Sequence, residues 1–231
     1  MRAHSKRCPV LAFNKEMTLD WLVWYYARAL ELPFPVLRSL LSHGLPIEQI
    51  ERGGRIEFHV FGQRHCFYEP AVQWADGTKE WYRNNQWHHG DGPAIEYADG
   101  PNAWYHNGQL HRDDGPAIEY VNGDKEWCFN GQRHRADGPA VVWADGSQAW
   151  FRNGQLHRDN GAAFEDADGS QEWWRNGQRH RDDGPACEYA DGSKMWYHNG
   201  QGHRDNGPAV ERPNGATEYW RNGVQYWPIK K

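Results

Sequence analysis

His-Arg-Asp occurs four times in this chain, at residues 111–113, 157–159, 180–182 and 203–205. A histidine, a cation and a carboxylate in succession are ingredients of phosphoryl transfer, where an acid group accepts the substrate proton and positive charge steadies the transferred group. Such a loop works as one copy, followed by an Asn and a metal-binding Asp-Phe-Gly. Neither Asp-Phe-Gly nor a Gly-rich phosphate loop is present. Four catalytic loops in so small a chain make no chemical sense, and no catalytic residue is expected.

Other chemistries meet similar objections. Equivalent His residues on a repeating sheet lie about 10 Å apart across two strands. Metal ligands sit ~2 Å from their ion, so neighbouring rows cannot share one. A pair such as His111 and Asp114 is incomplete, and calcium would need denser acidic ligands. Asp114, Asp137, Asn160, Asp183 and Asn206 read instead as Asx-type turn residues. No metal and no cofactor are expected. Cys8, Cys66, Cys128 and Cys187 form no C-x-x-C pair and show no paired His and acid, which leaves neither a zinc site nor a thiol nucleophile.

Arg112, Arg135, Arg158, Arg181 and Arg204 form a row beside Trp and Tyr rows, the raw material of a single-stranded nucleic-acid platform. Each Arg is followed within two residues by Asp or Asn, and the net charge is −5. A row spacing of about 10 Å also misfits successive bases. Trp-rich repeats can equally present carbohydrate- or lipid-headgroup-binding platforms. Both readings stay open as alternatives.

The elements that hold these residues are repeats. WYHNGQLHRDDGPA, from Trp104, recurs from Trp81, Trp127, Trp150, Trp173 and Trp196, always 23 residues apart. Tyr219 opens a further unit that breaks off. Phe58 opens a decayed one, since Gly54, Gly62, Gln63, His65, Pro70 and Ala71 fall on the pattern. The units from Trp104 onward have an Asn-Gly pair suited to a type I′ hairpin, and the units carry a later Asp-Gly or Asn-Gly turn. Two short strands per unit, joined into a continuous antiparallel meander, are expected. The repeated Trp residues read as core.

The residue before each Trp varies with the residue before each His: Glu126 with Arg133 and Glu172 with Arg179, but Ala103 with Leu110 and Ala149 with Leu156. A two-residue hairpin places these positions diagonally on one face, so an ion pair alternates with an apolar pair. The unit at Trp196 softens this to Met195 with Gly202, and the alternation sets up an expectation of a 46-residue period.

Residues 1–53 differ. Thr18 is placed to N-cap a helix over Leu19–Leu32, which Pro33 and Pro35 interrupt. Shorter helices are expected over Pro35–Ser42 and Pro46–Glu51. The expected fold is mainly β, an elongated antiparallel β-hairpin repeat array over residues 54–231 with an α-helical N-terminal cap over 1–53. At the far end, Tyr226, Trp227 and Pro228 replace His-Arg-Asp. With no secretory signal, a cytoplasmic location is expected, in a bacterial host if phage-encoded.

Trp-x-x-Asn-Gly-x-x-His with a second turn in a 23-residue period resembles MORN repeats, closest to the variant form of bacterial and viral proteins, some labelled antitoxins. Arg-Asp-Asp-Gly-Pro-Ala stands where the standard pattern has Gly-x-Gly, so the lipid-binding role of some MORN proteins is not carried over. The resemblance implies a β-hairpin solenoid used for association. The expected function is a non-catalytic scaffold binding a protein partner, as a stoichiometric inhibitor of phage or mobile-element type would. Nucleic acid and membrane are not expected partners; self-association through a sheet edge or the cap is allowed. Candidate contacts are Trp21, Trp24 and Tyr25 in the cap, with His111, Arg112, His134, Arg135, His157, Arg158, His180, Arg181, His203 and Arg204 in the rows.

Overall fold

The computed structural model describes residues 47–60, 62–65 and 69–228. The helices expected over 19–32 and 35–42, with Trp21, Trp24 and Tyr25, lie outside the described residues. The protein is mainly β, and all regular elements among the described residues are strands. They belong to two compact units that divide after Gln109.

In the first unit, β1 (Ile47–Arg52) pairs antiparallel with β2 (Arg55–Val60), from Ile47↔Val60 to Arg52↔Arg55. This overturns the helix expected over Pro46–Glu51. The Glu- and Gln-rich run suits a helix, but Gly53 and Gly54 adopt φ of 59° and 74° and reverse the chain. A full partner strand then overrides local propensity. β2 divides its other edge between β3 (Gln63–Arg64) and β4 (Val72–Trp74).

That division recurs in every full repeat of the second unit. In the repeat opened by Trp127, Lys125–Glu126 pairs with Val141–Val142 in the main sheet. Two residues on, Cys128–Phe129 pairs with Gln132–Arg133 in a separate two-stranded ladder. Trp127 is the pivot: its N–H donates to the Ala140 carbonyl at 2.7 Å, and its own carbonyl accepts the His134 N–H at 3.0 Å. Pro139, which has no N–H to leave unpaired, precedes Ala140 just outside the ladder, where Ala162 stands in the next repeat with the same strand start. Each repeat therefore carries four short strands in two ladders rather than the two expected. Phe58 keeps the same pivot, donating to Ala71 and accepting from His65.

Both turn types follow from their residues. Asn130 and Gly131 have φ of 49° and 78°, as a type I′ hairpin requires. The second turn bonds the Gly146 N–H to the Trp143 carbonyl at 3.0 Å, with Gly146 at φ 97°. The Asp145 carboxylate accepts the Ser147 N–H at 2.8 Å; Asp168 and Asp191 do the same for Ser170 and Ser193.

The core is a column of small residues. Ala117, Ala140, Ala163 and Ala186 are completely buried, and Val141 and Cys187 follow them inward. Of the Trp residues expected to be core, Trp81 is buried, whereas Trp104, Trp127, Trp150, Trp173 and Trp196 are only half-buried. In the first unit, Ala71, Val72 and Tyr82 form a buried cluster against Trp74 and Trp87.

Candidate functional site

The His row joins each repeat to the next. The backbone N–H of the turn Asn donates to the Nδ1 of the His nineteen residues earlier, Asn130 to His111, Asn176 to His157 and Asn199 to His180, at 3.2, 3.1 and 3.1 Å. His134 and His203 receive Asn153 and Asn222 at 3.3 and 3.2 Å. In the first unit, His65 and His88 receive Asn84 and Asn107. The next N–H of each turn, from Gly or in the first case Asn85, donates to the carbonyl just before that His, as Gly177 does to Leu156 at 3.0 Å. A type I′ turn leaves these two amides pointing outward, and the preceding repeat satisfies both.

This arrangement determines what the ring can do. At His157, Nδ1 accepts from Asn176, so the neutral ring carries its proton on Nε2, which donates to Asp159 at 2.9 Å. Neither nitrogen offers a lone pair to a substrate proton, as a general base must.

The donor atoms of His180, Asp182 and His198 lie within 4.8 Å of one another, close enough to hold a cation. The residues do not fit one. The Arg175 guanidinium already stands 2.7 Å from His180 Nε2 and donates to Asp182 at 3.1 Å, while Asn199 occupies Nδ1. A metal would have to displace this fixed positive charge.

Four arginines of the row lie over the Trp of their own repeat: Arg135 over Trp127 at 4.2 Å, Arg158 over Trp150 at 3.7 Å, Arg181 over Trp173 at 3.9 Å and Arg204 over Trp196 at 3.7 Å. Such a stack contributes about 0.5–2 kcal/mol. The same Arg181 donates to the Pro185 carbonyl at 3.2 Å, to Asp183 at 3.0 Å and to Glu188 at 2.7 Å. The carboxylates expected as Asx-turn residues at Asp114, Asp137 and Asp183 each take an Arg Nε at 3.0 Å. The backbone-bonding Asx role falls on the other turn.

The covarying pairs meet as their spacing requires. Arg133 chelates Glu126 at 2.8 and 3.0 Å, and Arg179 binds Glu172 at 2.8 Å. In the first unit, Arg64 reaches Glu57 at 3.2 Å. Burial raises the Glu57 carboxyl, but hydrogen bonds from His59, Arg64 and Arg55 outweigh it and hold the group at about 2.

Two further rows escaped the sequence reading. Glu119, Glu165, Glu188 and Glu211 stand seven residues after the row arginines, the same interval that exposed Glu126 and Arg133. Ser147 and Ser170 accept backbone N–H groups of Ala167 and Ala190, twenty residues on, at 3.0 and 2.9 Å. Their only signal is a small hydroxyl after the second turn. Cys128 and Cys187 are buried free thiols, and burial pushes both up to about 11, far from a reactive thiolate. Set against known protein families and curated proteins, the chain matches no family model and no curated sequence.

Proposed function

We propose that the chain is a MORN-like, non-catalytic scaffold that works by binding a protein partner, blocking it in a stoichiometric complex. One observation carries this reading: the motif that looks catalytic is engaged in joining repeats. His Nδ1 holds the next turn, Arg covers the Trp, and Asp and Glu hold the His and Arg. A motif used in this way maintains a surface, and the surface is what remains to act. The Arg row favours protein over nucleic acid, because each guanidinium already donates to a carbonyl of its own repeat and those of Arg135, Arg158, Arg181 and Arg204 also face a ring.

The test is affinity capture with the full chain, followed by mass measurement of the complex. A single protein retained at a fixed ratio is expected. Retention of glycans or liposomes alone, or salt-sensitive retention of single-stranded nucleic acid alone, would overturn the proposal.

A further inference from the structure

Ten Asn-Gly pairs occur in this chain, and the fold treats two of them differently. Asparagine before glycine is prone to modify itself, because without a Cβ the glycine nitrogen can approach the asparagine side chain. Six of the pairs are the hairpin turns, with Asn φ of 49–51°. In all six the Gly N–H donates to the preceding repeat at 2.9–3.0 Å, as Gly131 does to Leu110 and Gly200 to Arg179. Two more are second turns, where Gly123 donates to Tyr120 at 3.0 Å and Gly215 to Arg212 at 2.9 Å.

The other two, Asn160-Gly161 and Asn206-Gly207, lie in the loop after the row Arg, and both asparagines are exposed. Among the described residues, no backbone carbonyl takes the Gly161 or the Gly207 N–H. The side chains are also less constrained than those of the sister repeats. At the same position Asp114, Asp137 and Asp183 are each held by the Nε of their row Arg at 3.0 Å. Arg158 and Arg204 keep the Nη1 bonds, to Ala162 and Glu165 and to Pro208 and Glu211. Neither holds its asparagine in the same way among the described residues. Nucleophile and target are therefore both unheld in these two loops.

We propose that Asn160 and Asn206 are sites of spontaneous covalent modification, converting to aspartate and isoaspartate in the folded protein while the other eight pairs are spared. The Gly161 nitrogen gives up its proton to solvent base and bonds to the Asn160 Cγ. The bond from Cγ to the side-chain nitrogen breaks, and that nitrogen takes a proton from solvent and leaves as ammonia. Water then opens the succinimide at either carbonyl, leaving aspartate or isoaspartate. A hairpin asparagine cannot follow this course until its Gly N–H leaves the preceding repeat, which requires the hairpin to open. Aspartate formed at 160 restores the residue of three sister repeats. The Arg158 guanidinium already packs beside it, since a Cβ added at Gly161 would stand 3.1 Å from its Cζ. Each conversion adds a negative charge to its loop. The assignment is independent of the protein-binding reading and describes a slow, self-timed change in the charge of two repeats.

The full chain is held in mildly alkaline buffer, sampled over days, digested and sequenced by tandem mass spectrometry, beside a sample unfolded in guanidinium chloride. In the folded chain, Asn160 and Asn206 should convert at least about ten-fold faster than Asn153, Asn176 and Asn199, with isoaspartate among the products. In the unfolded chain, all the Asn-Gly pairs should convert at similar rates. Asn160→Gln, whose longer side chain disfavours ring closure, should remove the reaction at 160 and leave that at Asn206 as it was. Equal conversion across the folded chain, or conversion led by the hairpin asparagines, would overturn the proposal. So would intact Asn160 and Asn206 while the unfolded chain reacts, or the same preference in the unfolded chain. Aspartate without isoaspartate would also overturn it, because direct hydrolysis by water gives that product alone.

Discussion

Arg181 shows how much one side chain of this repeat does. It covers an indole, closes on a carbonyl its proline leaves without a strand partner, and pairs with two carboxylates. Each contact is half-exposed and modest alone. Together, Arg181→Ala should cost about 1–2 kcal/mol in urea unfolding. Arg135→Ala, at a position with Val142 in place of glutamate, should cost less than about 1 kcal/mol. Equal losses would mean that the glutamate adds nothing. The pairing of Glu126 with Arg133 was legible in sequence because both partners are side chains that vary together. The bond from Asn176 to His157 was not, because a backbone amide leaves no mark on residue identity.

At the scale of the element, β2 and β3 are where the first unit concentrates buried titratable groups. Glu57 and His65 are both almost wholly buried, one in the strand and one just past its partner β3. Burial chiefly, against a raising hydrogen bond from Asn84, pushes His65 from 6.5 down to about 4. The unfolded chain therefore takes up this proton first. The stabilisation is complete above about pH 6.5 and is lost as pH falls toward 4, a difference of roughly 3 kcal/mol. Glu57, held at about 2 against 4.5, adds a second loss as pH falls from 4.5 toward 2. Hydrogen exchange should show residues 55–65 deprotected at pH 4.5 relative to pH 7, with residues 140–150 little changed. Uniform protection at both values would contradict the burial of these groups. The turns of these elements were readable from Asn-Gly and Asp-Gly, whose φ demands are local. The switch of ladders at each Trp was not, because it depends on which neighbour receives each N–H and C=O.

At the scale of the molecule, stability resides in contacts between successive repeats rather than in one large core. Removing Trp150–Glu172, one whole period, brings Asn176 to the position from which Asn153 serves His134. The shortened chain should fold, by circular dichroism, with a lower urea midpoint. Loss of the cooperative transition would show that the repeats are not interchangeable. Repetition made this architecture legible from sequence, whereas the strand at Ile47–Arg52 was missed because it lies outside the repeat and pairs with its decayed first copy. The bond between turn and histidine also has a direction. The imidazole always comes first and its amide nineteen residues later. A chain leaving the ribosome from its N-terminus thus meets each requirement in order, every hairpin completing the one already made. The last described hairpin has Tyr226 at the histidine position, stacked edge-on against Tyr219 at 5.7 Å, and waits for no later amide. Among the described repeats, synthesis and assembly can therefore proceed in step, each hairpin docking on the one before it.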